Sequence, residues 1–166
     1  MPSIELLPDN DPAVAALAHD LERAREPSYP LTFAAHRLAA PAEEHHAILD
    51  AVAAAAGFQG LGESWIEVPR RIAAKILAHL IGGELAYPEE VLPRERAEEL
   101  AARFLALVPA PARYFTNGAL SGDFAVYDLQ GEEVLGWRSL SEAPYDNGVI
   151  ALGAERVVML WAEDAP

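Results

Sequence analysis

The sequence predicts an α+β domain, with about four N-terminal helices packed on a C-terminal antiparallel sheet of about five strands. Three observations predict it. Apolar residues recur at helical spacing up to about residue 110, and after Pro111 they fall into short strand-like runs. The last of these runs, Val157-Val-Met-Leu-Trp-Ala162, has no polar side chain on either face and reads as a strand buried on both sides. Finally, a two-residue turn at Gln130-Gly131 would bring apolar residues together on one face of a hairpin, so turn and pattern agree. Helices first and strands last mark the α+β class.

Taken in order, Asp9-Asn-Asp-Pro12 opens a first helix over about 12–25, an Asp cap followed by a proline that loses nothing in the first turn. Leu31–Leu38 is extended and is expected at a sheet edge. Pro41 opens a second helix, stopped at Gly57. A third helix is entered near Ser64-Trp-Ile-Glu67, which has the spacing of a capping box, and ends at Gly82-Gly83. The fourth runs from about Pro93 to Leu107. Strands are expected at 113–117, 123–129, 132–138 and in the two runs either side of Gly153-Ala-Glu-Arg156. In the 123–138 hairpin Phe124 would face Trp137, Val126 would face Leu135 and Asp128 would face Glu133. Ser139–Glu142 reads as one helical turn, and Asp146-Asn-Gly148 as a further turn. The whole of 1–166 is one domain, helical to about 110 and sheet from 111.

At 166 residues and 52% hydrophobic, the chain can bury a core of its own. It contains no cysteine, which removes disulfides, zinc–thiolate sites and thiol nucleophiles. The N-terminal residues lack the basic flank and apolar core of a signal peptide, and no stretch reaches the ~18 apolar residues of a membrane span. A soluble, cytoplasmic protein is expected. The net charge is −14, and it is unevenly spread. Residues 1–68 hold 11 acids and 3 bases, 69–110 hold 6 of each, and 111–166 hold 9 and 3. Such a chain is not expected to bind nucleic acid, where affinity comes chiefly from Lys and Arg on phosphates. A basic protein partner fits it better.

No assembled catalytic set is present. Gly57-x-x-Gly-x-Gly62 lacks the Gly-Lys-Ser/Thr ending of a P-loop, and neither HExxH nor a GxSxG elbow occurs. No cofactor and no metal site are expected. His46 and Asp50, four apart on one helix face, are either a solvated face, a proton relay or two ligands of one metal. Arg71 and Lys75, also four apart, either pair internally or clamp a carboxylate or phosphate. With the Thr116–Asp123 loop, whose Thr116 and Asn117 are polar, these residues would define a small enzyme or ligand pocket between helices and sheet. The competing site is the acidic, aromatic sheet end: Asp123, Tyr127, Asp128, Glu132, Glu133, Tyr145 and Asp146. Asp128 opposite Glu133 is unfavourable unless the tip splays or a cation, a partner's basic side chain or a metal, lies between them.

In format the chain is similar to many cytoplasmic immunity proteins that neutralise bacterial toxins: small, acidic, cysteine-free, single-domain and without an evident active site. The resemblance implies a basic toxin as the partner and assigns no residue a role.

Overall fold

The computed structural model describes residues 4–24, 31–39, 44–83, 85, 90–120 and 124–164. Six strands form one sheet: β1 (Leu6–Pro8), β2 (Leu31–Leu38), β3 (Ile66–Val68), β4 (Arg113–Thr116), β5 (Tyr145–Leu152) and β6 (Arg156–Asp164). Their order is β1-β2-β6-β5-β4-β3, and every neighbouring pair is antiparallel. Four α-helices accompany them: α1 (Pro12–Ala24), α2 (His45–Ala55), α3 (Arg70–Gly82) and α4 (Arg94–Ala106). The α+β class expected from the sequence is the class observed.

β6 is the axis of this arrangement. It pairs with β2 on one side and β5 on the other, and Val157 through Trp161 are wholly buried. Because successive side chains point to opposite faces, its apolar run feeds two cores at once. Val158, Leu160 and Ala162 join Val149 and Ala151 beneath α1, α3 and α4. Val157, Met159 and Trp161 join Ile150, Leu152 and Phe115 beneath α2 and Trp65. The helices are therefore split between the two faces rather than gathered on one.

The chain tightens locally as its sequence dictates. Asp11 caps α1 by accepting from the Ala13 N–H at 2.9 Å. The turn from β5 to β6 closes with Gly153 N–H on the Arg156 carbonyl at 2.9 Å. Arg156 then reaches across the fold to Asp9 Oδ2 at 2.6 Å, Asp11 Oδ2 at 2.8 Å and the Leu107 carbonyl at 2.9 Å. One guanidinium thus joins the β5–β6 turn, the start of α1 and the end of α4.

The Asp9 side chain is completely covered. Burial alone would raise its pKa, but the Arg156 hydrogen bond, the Asp11 N–H and the nearby charges of Arg156 and Arg37 bring it below its ordinary value. A carboxyl depressed in the folded state stabilises the fold above its unfolded pKa of about 4 and loses that contribution as pH falls through the folded value. Asp9→Asn should therefore weaken the fold in urea melts at neutral pH. Its deficit relative to wild type should shrink as pH falls below about 4; a deficit constant from pH 7 to the acid limit would show that the ionised form is not what matters.

Several expected elements differ. β1 covers one side of β2, so β2 is an inner strand and not an edge. The expected opening of α2 at Pro41 lies outside the described residues; its described part begins at His45. Ser64 does not start a helix: Ile66–Val68 form β3 and Pro69 stands at the N-cap of α3. A proline disfavours the helical region for the residue before it, so Val68 stays extended. Asp146-Asn-Gly148 is not a turn but the start of β5, because Trp161 packs across Gly148, where a Cβ would collide with the indole and with the Leu160 carbonyl. Ser139–Glu142 forms bends and no helical turn. Residues 124–138 contribute isolated bridges instead of two full strands.

Candidate functional site

Between β4 and β5 the chain leaves the sheet and returns, and five of the seven residues predicted for the acidic, aromatic site lie in this stretch of sequence. Its centre is a hairpin around Asp128–Gly131. Gly131 N–H donates to the Asp128 carbonyl at 3.0 Å, and Asp128 N–H to the Glu132 carbonyl at 2.9 Å. Gly131 has φ 83°, a left-handed conformation that glycine supplies without strain. This is a three-residue loop with a bulge, not a two-residue Gln-Gly turn. The register shifts with it: Tyr127, not Asp128, faces Glu133, and Trp137 pairs with Gly118, not Phe124. Val126 meets Val134 rather than Leu135, its carbonyl accepting from Val134 N–H at 2.8 Å.

Asp128 is used inside the turn. Its Oδ1 accepts from the N–H groups of Gln130 and Glu132, both at 2.9 Å. The opposed Asp128–Glu133 carboxylate pair therefore does not form. Among the described residues no group of acids and histidines is placed to hold a metal ion.

Three ties hold the excursion in place, the second of them joining its own two limbs. Leu129 N–H donates to the Glu67 carbonyl on β3 at 3.0 Å. Ala119 N–H meets the Gly136 carbonyl at 2.8 Å, and Arg138 N–H the Asn117 carbonyl at 3.0 Å. The third tie is an interior polar knot centred on Asp146, which is fully buried. Asp146 Oδ1 accepts from Trp161 Nε1 at 3.0 Å, Leu140 N–H at 3.0 Å and Asn117 Nδ2 at 3.2 Å. Asn147 Nδ2 in turn donates to Asn117 Oδ1 at 2.7 Å.

The structure therefore divides the acidic, aromatic site. Asp146 is interior and cannot meet a partner, a correction that follows from its place as hydrogen-bond acceptor for the strand next to it. Tyr145 is half-buried, its ring 6.4 Å from that of Trp137. Asp123 lies outside the described residues. Tyr127, Glu132 and Glu133 are exposed on the hairpin. The sequence reading missed the two leucines beside them: Leu135 is 85% exposed, Leu129 51% and Tyr127 39%. These are three of the four exposed large apolar residues among those described, the fourth being Leu7. The shifted register is what turns Leu135 outward, so no alternation count made with the two-residue turn could have found it.

The alternative pocket residues are not brought together. Asp50, on α2, accepts from the Leu61 and Gly62 N–H groups at 3.1 and 3.2 Å and from Trp65 Nε1 at 2.8 Å. It fastens the loop after α2 and is not directed at His46 as a relay partner. His45, beside it, stacks on Phe115, with ring centroids 5.2 Å apart. Burial, then the charges of Arg113 and His46, holds its pKa below the ordinary value. Arg71 and Lys75 sit on α3, across the sheet from α2. Thr116 and Asn117 are buried at the end of β4, and the Thr116 hydroxyl has no hydrogen-bond partner among the described residues. A groove of about 910 Å³ between α3 and α4 takes in Lys75 but none of Arg71, His46, Asp50, Thr116 or Asn117. No helix among the described residues is long and apolar enough to cross a membrane.

Comparison with known protein families, with curated proteins and with solved structures finds no match.

Proposed function

We propose that this chain is a binding protein whose acidic hairpin docks a basic partner protein, a toxin that it inhibits being the partner its immunity-protein format implies. One observation carries the reading: Tyr127, Leu129 and Leu135 are exposed together on a hairpin whose charged side chains are all acidic. From Tyr114 to Trp137 the sequence holds four acids and no base. Apolar anchors bordered by charge of one sign are what a protein interface requires: the anchors lose water on contact, and the charges steer the partner and fix its orientation. The ties at Glu67, Asn117 and Asp146 hold the hairpin in one geometry before the partner arrives, which lowers the entropic cost of docking.

Purified chain used as bait in a lysate of its own host tests this at low and high salt. A single basic partner should be retained, lost as salt rises, and lost at low salt from Glu132→Lys/Glu133→Lys and from Leu135→Asp. A partner that ignores salt and both changes, or recovery of no specific protein, overturns the proposal.

A further inference from the structure

A hollow of about 650 Å³ opens beside the hairpin, where the end of β3 and the last turn of α4 meet the start of β4. Every residue lining it is among those described. Pro69, Pro109 and Pro111 make much of its wall, apolar surface that has no side-chain freedom to lose on contact. Leu129 stands on its rim, held there by the bond from its N–H to the Glu67 carbonyl. Because Leu129 is also one of the hairpin's exposed apolar residues, a partner seated on the hairpin reaches the hollow as well.

Three charged side chains line it, and they do not cancel. Glu67 and Arg113 neutralise one another through two hydrogen bonds, Nε to Oε2 at 3.0 Å and Nη2 to Oε1 at 2.7 Å. That leaves Arg70. Its Nη1 donates to the hydroxyl of the buried Tyr114 at 2.8 Å, which fixes the guanidinium at the wall of the hollow but offsets none of its charge. The first turn of α3, which Arg70 opens, contains no acid. No carboxylate among the described residues lies within ion-pair distance of Arg70: Asp128 is engaged inside its own turn, and Glu132 and Glu133 do not reach it.

We infer that the hollow receives an acidic side chain of the same partner that the hairpin docks, its carboxylate on Arg70 and its stem against the prolines. This contact rests on the hairpin's docking role and selects among basic partners. An apolar residue seated there would strip water from the guanidinium and replace it with nothing, and a basic one would meet like charge. A carboxylate supplies both the charge and the hydrogen bonds. The hairpin acids attract any basic surface, whereas one contact of opposite sign beside them rejects surfaces that lack an acid at that place.

The same lysate capture, with Arg70→Glu as bait, separates the two contacts. Attraction by net charge alone predicts more partner on this bait, because the chain becomes more acidic. A carboxylate on Arg70 predicts the reverse, a loss of about tenfold or more at a salt concentration that wild type withstands. Tyr114→Phe, which frees the guanidinium, should cause a smaller loss. Photocrosslinking from p-benzoylphenylalanine in place of Ala106, exposed on the wall of the hollow, should label a partner segment that contains Asp or Glu. Changing that acid to Arg in the partner should restore capture by the Arg70→Glu bait. Thermal melts like wild type show that the baits fold, as expected for a change at the exposed Arg70. If Arg70→Glu retains as much partner as wild type, or no acid-containing segment is labelled, the inference is overturned and the hairpin's role stands. Recovery of no partner on wild type overturns both.

Discussion

Val158→Asp and Met159→Asp are each expected to abolish folding at ordinary temperature, although the two side chains belong to different cores. Val158 lies beneath α1, α3 and α4, and Met159 lies beneath α2; both are fully buried. A carboxylate at either place has no partner, and it must remain charged at a cost of several kcal/mol or take up a proton at a similar one. The whole stability of a domain is on the order of 5–15 kcal/mol, so either loss consumes most of it. Glu155→Asp, in the exposed turn before β6, should change little. Thermal melts of the three variants decide the matter. If one strand variant melts near wild type, the core on that face is not continuous, and the account of β6 as a shared wall fails.

Asp146→Ala should be the next most damaging change, and for a different reason. It removes no apolar contact of consequence but takes the acceptor from Trp161 Nε1 and the Leu140 N–H together, while Asn117 Nδ2 keeps the Arg138 and Asp146 carbonyls. Each buried donor left without a partner costs about 1–3 kcal/mol. The melting temperature should fall by on the order of 10 °C. The excursion should also lose its tie at Leu140, visible as faster hydrogen exchange at Leu140 and Ser141 than in wild type. Asp146→Asn keeps one carbonyl oxygen as acceptor and should be milder. Glu142→Ala, four residues away and exposed, is the control. If Asp146→Ala melts like that control, the knot is incidental to stability.

The central strand was legible in the sequence because its signal is local and redundant: six consecutive apolar residues admit one reading. The α-helical spacing of α1, α3 and α4 was legible for the same reason. β1 and β3 were not, since three residues carry no period and their strand character comes from partners distant in the chain. Leu6 is set by Leu38, and Ile66 by Thr116. Asp146-Asn-Gly148 has the composition of a turn, yet Trp161 and Asn117 hold it in the sheet, and neither is near in sequence. Arg156 gave no warning of its role, because Asp9 and Asp11 are about 145 residues before it. Of the candidate site, a hairpin about residue 130 was expected with its register one residue off; Glu132 and Glu133 stand exposed on it, and Asp128 is turned into the loop. Its exposed leucines were hidden by one residue of register, set by the left-handed Gly131.

The hydrogen bond from Leu129 to Glu67 has a consequence for the sheet as a whole. β3 is an outermost strand, and an outermost strand offers open backbone groups on which a second chain can build. Leu129 occupies one of those groups, so the hairpin acts as a stopper on that side, while at the opposite side β1 has three residues and ends in Pro8, which donates no hydrogen bond. The segment that presents the exposed leucines therefore also guards the molecule against polymerising strand to strand. Any partner that drew the hairpin away from β3 would expose a new seam for self-association.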